Sequence, residues 1–490
     1  MLALAGCRTT EIIQVRITPT PDPDAVALQP SPTPTDDMVS VEQATATATP
    51  TVTATPTATT TPTATVTPDD APDSDEPTPT SMTFIGPIIG GDYQSPTPPP
   101  PPTEQEFEDI PTTTALPVTP IATATPTDGP TPTPLPRLDA DRMGLQLYAN
   151  VEFDDWMRVI GTTQETGVGW VKVQVDWAFL QPDGRDQFGT NFQLFERKME
   201  AVKRAGFDLL LSVAKAPDWA RSDTTESGPP DDPADLAYFL DFLLRETKIG
   251  GVTDAIEVWN EPNLIREWRG VWPMNGASYM EFFAVAYDAI RNYSPDITII
   301  TAGLAPVGAV TDATVDDRIF LQQMYDNGLG NYTDVVIGAH PYGWGNPPDA
   351  RCCPSESRGW DDSPYFFFLD NLEAIYDVMR RNGHEDNRIW VTEFGWATWE
   401  GITAPPPEPW VTFNSAQQQA QYNIRAFEIG LDLPYVGNMI LWNLNFANDV
   451  RVNQSEEVTG YSLINPALSP PERPAFYALI ESTGGRRSAD

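Results

Sequence analysis

From Leu138 onward, short apolar runs alternate with longer stretches in which apolar side chains recur every three or four residues. Runs at 144–149, 170–175, 209–213, 256–259, 297–302, 335–339, 389–392 and 439–442 have the length and composition of strands buried on both faces. Between them, 192–205 places Phe192, Phe195, Met199 and Val202 on one helical face. The same period marks 235–247, 279–292, 319–327, 369–382, 416–431 and 474–482, and 154–164 shows it least.

Strict alternation of strand and helix predicts an α/β fold with a parallel sheet. Eight such units in roughly 350 residues fit a closed (β/α)8 TIM barrel with generous loops. An open doubly wound sheet would show a glycine-rich phosphate turn after its first strand. Here that strand ends Tyr148-Ala149-Asn150, without such a turn.

Before Leu138 the pattern vanishes. Residues 8–137 are dominated by Thr-Pro and Ala-Thr-Pro text, with 28 of the 51 prolines lying before Leu138. Such composition buries too little apolar surface to offset the entropy of ordering it. It predicts a disordered, extended, polyproline-like stalk, open to O-glycosylation on its threonines. An apolar island at 82–90 interrupts it and has no assignment. The expected organisation is therefore 1–7 as a leader remnant, 8–137 as linker and 138–490 as the folded domain.

Charge narrows the partners. The chain carries −40 overall; 17 Asp/Glu against 3 Arg before Leu138 give −14 there and leave −26 for the rest. A polyanion without clustered Lys and Arg is not a nucleic-acid binder, and an anionic membrane surface repels it. The two histidines, His340 and His384, cannot build a His-rich metal site, and His384 in Asn382-Gly383-His384-Glu385 reads as an exposed loop residue. No metal and no cofactor are expected. The cysteines are Cys7 and the adjacent Cys352 and Cys353, which offer no zinc framework.

Leu4-Ala5-Gly6-Cys7 resembles a bacterial lipobox, although six residues are too few for a full secretory leader. The resemblance implies lipidation at Cys7 and an extracellular protein held on the cell surface, with the stalk providing reach. No run of 18 apolar residues exists to cross a membrane.

Barrel enzymes carry their chemistry where strands exit at the C-terminal face. The second strand gives Asp176-Trp177, the third Lys215 through Trp219, and the fourth Trp259-Asn260-Glu261-Pro262-Asn263. The sixth gives His340-Pro341-Tyr342, the seventh Glu393-Phe394-Gly395-Trp396, and the eighth Trp442-Asn443-Leu444-Asn445. Carboxylates, amides and large aromatics suit a neutral polyhydroxylated ligand.

Val258 to Asn263 and Val391-Thr392-Glu393-Phe394-Gly395-Trp396 resemble the fourth- and seventh-strand motifs of clan A retaining glycoside hydrolases. Ala339-His340-Pro341-Tyr342 leans towards family 39, with family 5 next. The resemblance covers about Leu138 to Gly484. It implies Glu261 as general acid/base and Glu393 as nucleophile. It further implies Asn260 on the sugar 2-hydroxyl, Tyr342 against the nucleophile, His340 on the same wall, and Trp442 as the platform under the cleaved sugar. One departure stands out. Some families of this clan place an arginine near the nucleophile from the second strand, where this chain has Lys172 and Asp176.

Double displacement needs the two carboxyls about 5–5.5 Å apart and their pKa values separated. Charge on Glu393 is expected to raise the pKa of Glu261. Trp177, Trp219, Trp344, Trp396, Trp399 and Trp442 are expected to line the cleft, being in strand-exit loops. A vicinal disulfide between Cys352 and Cys353 is expected on the sixth-strand loop, against free buried thiols as the alternative. The partner is a carbohydrate and the state a monomer. The competing function is a non-catalytic glycan-binding lipoprotein on the same barrel.

Overall fold

The computed structural model describes residues 137–354 and 359–485. The lipobox with Cys7, the stalk and its island at 82–90 lie outside the described residues.

The chain folds as a closed barrel of eight parallel strands in sequence order. These are β1 (Met143–Leu147), β2 (Trp170–Asp176), β3 (Asp208–Ala214), β4 (Ala255–Val258), β5 (Thr298–Thr301), β6 (Val335–Ala339), β7 (Ile389–Phe394) and β8 (Val436–Leu441). β1 closes on β8 through Met143 against Met439 and Leu145 against Leu441. All eight strand expectations are met within a few residues. β8 begins earlier than its apolar run, at Val436, which pairs with Ile389 of β7, and Arg142 donates from Nη2 to the carbonyls of Val436 and Gly437.

The helices are α1 (Phe153–Thr166), α2 (Trp177–Leu180), α3 (Thr190–Arg204), α4 (Pro233–Asp241), α5 (Gly276–Tyr293), α6 (Asp317–Asp326), α7 (Phe368–Arg381), α8 (Ala416–Asp432), α9 (Asp449–Asn453), α10 (Val458–Tyr461) and α11 (Pro474–Thr483). Their starts are chemically marked. Asn275 caps α5, Asp316 caps α6, and Ser415 with Gln418 forms a capping box on α8. α4 continues into a wider π turn at Phe242–Glu246, which accounts for the length of its apolar pattern. The short helices α2, α9 and α10 are too brief to leave a periodic signal. Among the described residues no helix is long and apolar enough to cross a membrane.

Alternation along each strand sorts the side chains. Val171, Val173 and Val175 of β2 face outward into the large core shared with the helices. Trp170, Leu210, Ala255, Ile300, Trp390 and Ile440 face inward and plug the barrel at its strand-entry end, with Trp170 and Trp390 edge to face at 5.0 Å. Above this plug the inward positions turn polar, with Lys172, Ser212, Glu257 and Thr392 all buried. A second aromatic cluster from the loops after β6, β7 and β8 stands over them: Tyr342, Trp344, Trp399, Trp410, Trp442 and Tyr461.

Candidate active site

Local geometry at two strand ends aims the acidic side chains. In β7, Val391 pairs with Met439 and Phe394 with Leu441, so β7 carries one residue more than β8 between these pairs. That irregularity turns Glu393 towards the barrel while Phe394 remains in the outer core. At the end of β4 the chain turns sharply, with Trp259 at φ 78° and Glu261 at φ 40°. Non-glycine residues there cost about 1–3 kcal/mol each, so surrounding contacts must hold them. Trp259 donates from Nε1 to the Glu267 carbonyl, Glu261 donates from its backbone N to the Gly303 carbonyl, and the Asn263 amide ties the loop to Ala305 and Val315.

The result brings together residues from four strands. His340 Nδ1 lies 3.2 Å from Glu261 Oε1 and 3.9 Å from Glu393 Oε2. The nearest oxygens of the two carboxylates are therefore at most about 7 Å apart. Tyr342 donates its hydroxyl to Glu393 Oε2 at 3.0 Å. Lys172 contacts Glu393 Oε1 at 3.1 Å and Glu257 Oε2 at 2.8 Å. Glu257 Oε1 lies 3.7 Å from His340 Nε2. Arg266 donates from Nη2 to Glu261 Oε2 at 2.9 Å. Asn260, buried, stands beside Glu261 at the end of β4. Gly303 makes room for the imidazole: a Cβ there would lie 2.2 Å from His340 Nε2.

Electrostatics follow from these contacts. Burial opposes charge on Lys172, but Glu257 and Glu393 outweigh it and its pKa rises. Burial likewise disfavours the charged forms of Glu257 and Glu261. Lys172 and His340 nevertheless hold Glu257 far below the usual carboxylate range, and His340 and Arg266 hold Glu261 below it. His340, desolvated but ringed by Glu393, Glu257 and Glu261, is pushed up to about 9 and is an imidazolium at neutral pH. Tyr342 is raised by burial and by Glu393, so its phenol stays protonated and donates. The expected upward shift of Glu261 is thus reversed in this state, because two cationic donors reach its oxygens.

Of the residues expected at the site, Glu261, Glu393, Asn260, His340 and Tyr342 converge. Trp442 sits beside them, 6.2 Å from the Tyr342 ring and 4.8 Å from that of Tyr461. Trp344 and Trp399 belong to the same aromatic cluster. Trp177 and Trp396 do not line the cleft. Trp177 is the first residue of α2, stacks on Phe239 and bonds Gln181. Trp396 is fully buried against Phe368 and Tyr422 and donates to the Asn346 carbonyl. Both follow strands, yet each indole packs against the outer helices, Trp177 on α4 and Trp396 on α7 and α8. Trp219, half-buried, packs edge-on against Trp177. His384 is not exposed either; it is buried against Tyr325, whose hydroxyl lies 2.9 Å from Nδ1.

Glu257, Arg266 and Tyr461 also stand at the site and carry no sequence motif of their own. Alternation could have shown Glu257, since Ile256-Glu257-Val258 places a carboxylate inward between two outward apolar residues. Arg266 arrives from an irregular loop and has no such signal. Cys352 and Cys353 are joined through their sulfurs on the loop after β6, where the Cys352 N–H donates to Asp370. Among the described residues, no three His, Cys, Asp or Glu side chains gather as a metal site.

No protein-family model and no curated protein matches the chain. Solved structures do. A family 39 glycoside hydrolase from the gut symbiont Bacteroides cellulosilyticus WH2 superimposes with TM-score 0.51 at 16% identity, covering 71% of this chain. This chain spans 65% of the length of that protein. A GH5_18 protein from Streptomyces cattleya, solved with Manb1-4GlcNAc, gives TM-score 0.52 at 15% identity over 70% of this chain and 80% of the other. At such identities the likeness is one of fold: the barrel is one that glycoside hydrolases use.

Proposed function

We propose that the chain is a retaining glycosidase that cleaves β-linked glycosides or polysaccharides by double displacement. The observation that carries this is the convergence of Glu261 and Glu393 on one His340 nitrogen, at 3.2 and 3.9 Å. Nearest oxygens at most about 7 Å apart are compatible with the separation of about 5–5.5 Å in a retaining pair. Glu393 is the nucleophile. Lys172 and the Tyr342 hydroxyl both address it in its charged form and orient its oxygens. Attack on the anomeric carbon breaks the glycosidic C–O bond and forms an ester to Glu393.

Glu261 is the acid/base. It gives a proton to the leaving oxygen in the first step and takes one from water in the second. Asn260 beside it offers an amide to a sugar hydroxyl, and Trp442 offers an aromatic face to sugar C–H groups. The glycoside hydrolase neighbours support the same reading. The lipobox at Cys7 and the stalk that follows favour an extracellular enzyme tethered to the bacterial surface, where polymeric carbohydrate is within reach.

A panel of 4-nitrophenyl β-glycosides and dyed polysaccharides tests the activity. Turnover by the parent chain, abolished in Glu393→Ala, is the expected outcome. Binding to insoluble polysaccharide without turnover of any substrate would favour the glycan-binding alternative.

A further inference from the structure

The Arg266 contact conflicts with a resting acid. A general acid must carry a proton, yet Glu261 is gripped on both oxygens by cationic donors. His340 Nδ1 stands at Oε1 and Arg266 Nη2 at Oε2. The two grips differ in kind. His340 is a buried wall residue shared with Glu257 and Glu393. Arg266 belongs to the same loop as Glu261, five residues on, and its side chain is 31% exposed where that of Glu261 is 1% exposed. Arg266 is therefore the more exposed of the two grips, since the His340 side chain is fully buried.

Charge around this pair is lopsided. Glu267 and Glu457 act on Arg266 together with Glu261. Glu267 is buried and pushed up to about 7 by that burial, with Arg266 and Lys215 pulling the other way and Glu261 and Glu393 adding to the rise. Tyr461, buried near Glu261 and Glu457, and Tyr342, whose ring packs edge-on against it at 5.8 Å, stay neutral. Arg266 thus has other carboxylates nearby to receive it when it leaves Glu261.

We propose that Arg266 is a positioning residue that clamps Glu261 as a carboxylate in the resting site, so that the clamp must open before the enzyme can expel a sugar leaving group. This rests on Glu261 being the acid/base. With the clamp closed, an aryl glycoside still reacts: the C–O bond breaks, the aryl oxide leaves with the electron pair, and the ester to Glu393 forms without a proton. Water then attacks the anomeric carbon, Glu261 takes its proton, and the ester breaks. That proton finally neutralises the aryl oxide through solvent. An alkyl or sugar leaving group has no such route, because its oxygen must receive a proton from Glu261 as it departs.

The test compares the 4-nitrophenyl β-glycoside turned over fastest in the panel with the methyl β-glycoside of the same sugar, as kcat/KM against pH. In Arg266→Met the basic limb for the methyl glycoside should move to higher pH, since Glu261 keeps its proton further up the scale. Its rate at neutral pH should rise roughly tenfold, the low end of what removing an opposite charge returns. The aryl glycoside should gain nothing in the first step. Arg266→Lys, which keeps a cation, should restore the parent profile and guards against a variant that misfolds. An unmoved basic limb in Arg266→Met with folding intact, or equal changes on both substrates, would overturn the clamp. Full turnover in Glu261→Ala on the methyl glycoside would instead overturn the acid/base assignment beneath it.

Discussion

The Lys172 ammonium lies 3.1 Å from Glu393 Oε1 across the barrel, although 221 residues separate the two in sequence. The same nitrogen reaches Glu257 at 2.8 Å, and both contacts are buried. One cation thus serves two carboxylates, and His340 supplies a second positive charge to the same group. By the sequence resemblance, this is a place where an arginine is expected in some families. A guanidinium would offer a planar fork; an ammonium is a compact point charge that can sit between two carboxylates on separate strands.

Removing that charge should be costly. Lys172→Met leaves Glu257 and Glu393 buried with one fewer cation, and breaking a buried ion pair from one side costs about 3–5 kcal/mol. Urea unfolding of the Leu138–Asp490 domain should show a loss of that size, and Lys172→Arg a smaller one. A loss below about 1 kcal/mol in Lys172→Met would mean that the ammonium does not balance the two carboxylates.

His340 makes the stability depend on pH. Its pKa is about 9 in the folded protein against an ordinary 6.5. Because the folded value is the higher one, the stabilisation is present in full below the ordinary value and fades as pH rises through about 9. His340→Asn should therefore destabilise the protein more at about pH 6 than at about pH 10. An equal loss at both would show that His340 is neutral in the folded state.

The barrel was legible because its signals are local and repeated: buried β-branched runs and amphipathic faces recur eight times. The two glutamates were legible because short motifs place them at strand exits. The ring around them was less so. Lys172 stood out only as a departure from the resemblance, and Glu257 sits in ordinary strand alternation; that one ammonium serves both Glu257 and Glu393 emerges only when the barrel closes and brings β2, β4 and β7 together. Trp177 and Trp396 show the opposite failure. Position after a strand does not fix direction, and each indole turned away to fill space under a helix. His384 was misplaced for a related reason: its Gly383 turn folds the ring back onto Tyr325, which no nearby residue announces.

Cys352 and Cys353 yield a simple measurement. Intact mass should rise by two hydrogens when the folded chain is reduced, as the bond between the sulfurs requires. An unchanged mass would leave two free thiols on the loop after β6.

The stereochemistry of the first product tests the central claim most directly. Proton NMR during hydrolysis of the best β-glycoside from the panel resolves the anomeric signal before mutarotation scrambles it. With Glu393 as nucleophile and Glu261 as acid/base, two inversions succeed each other, so the β-anomer should appear first and the α-anomer only later. First release of the α-anomer would mean a single displacement by water, and would contradict the covalent role assigned to Glu393.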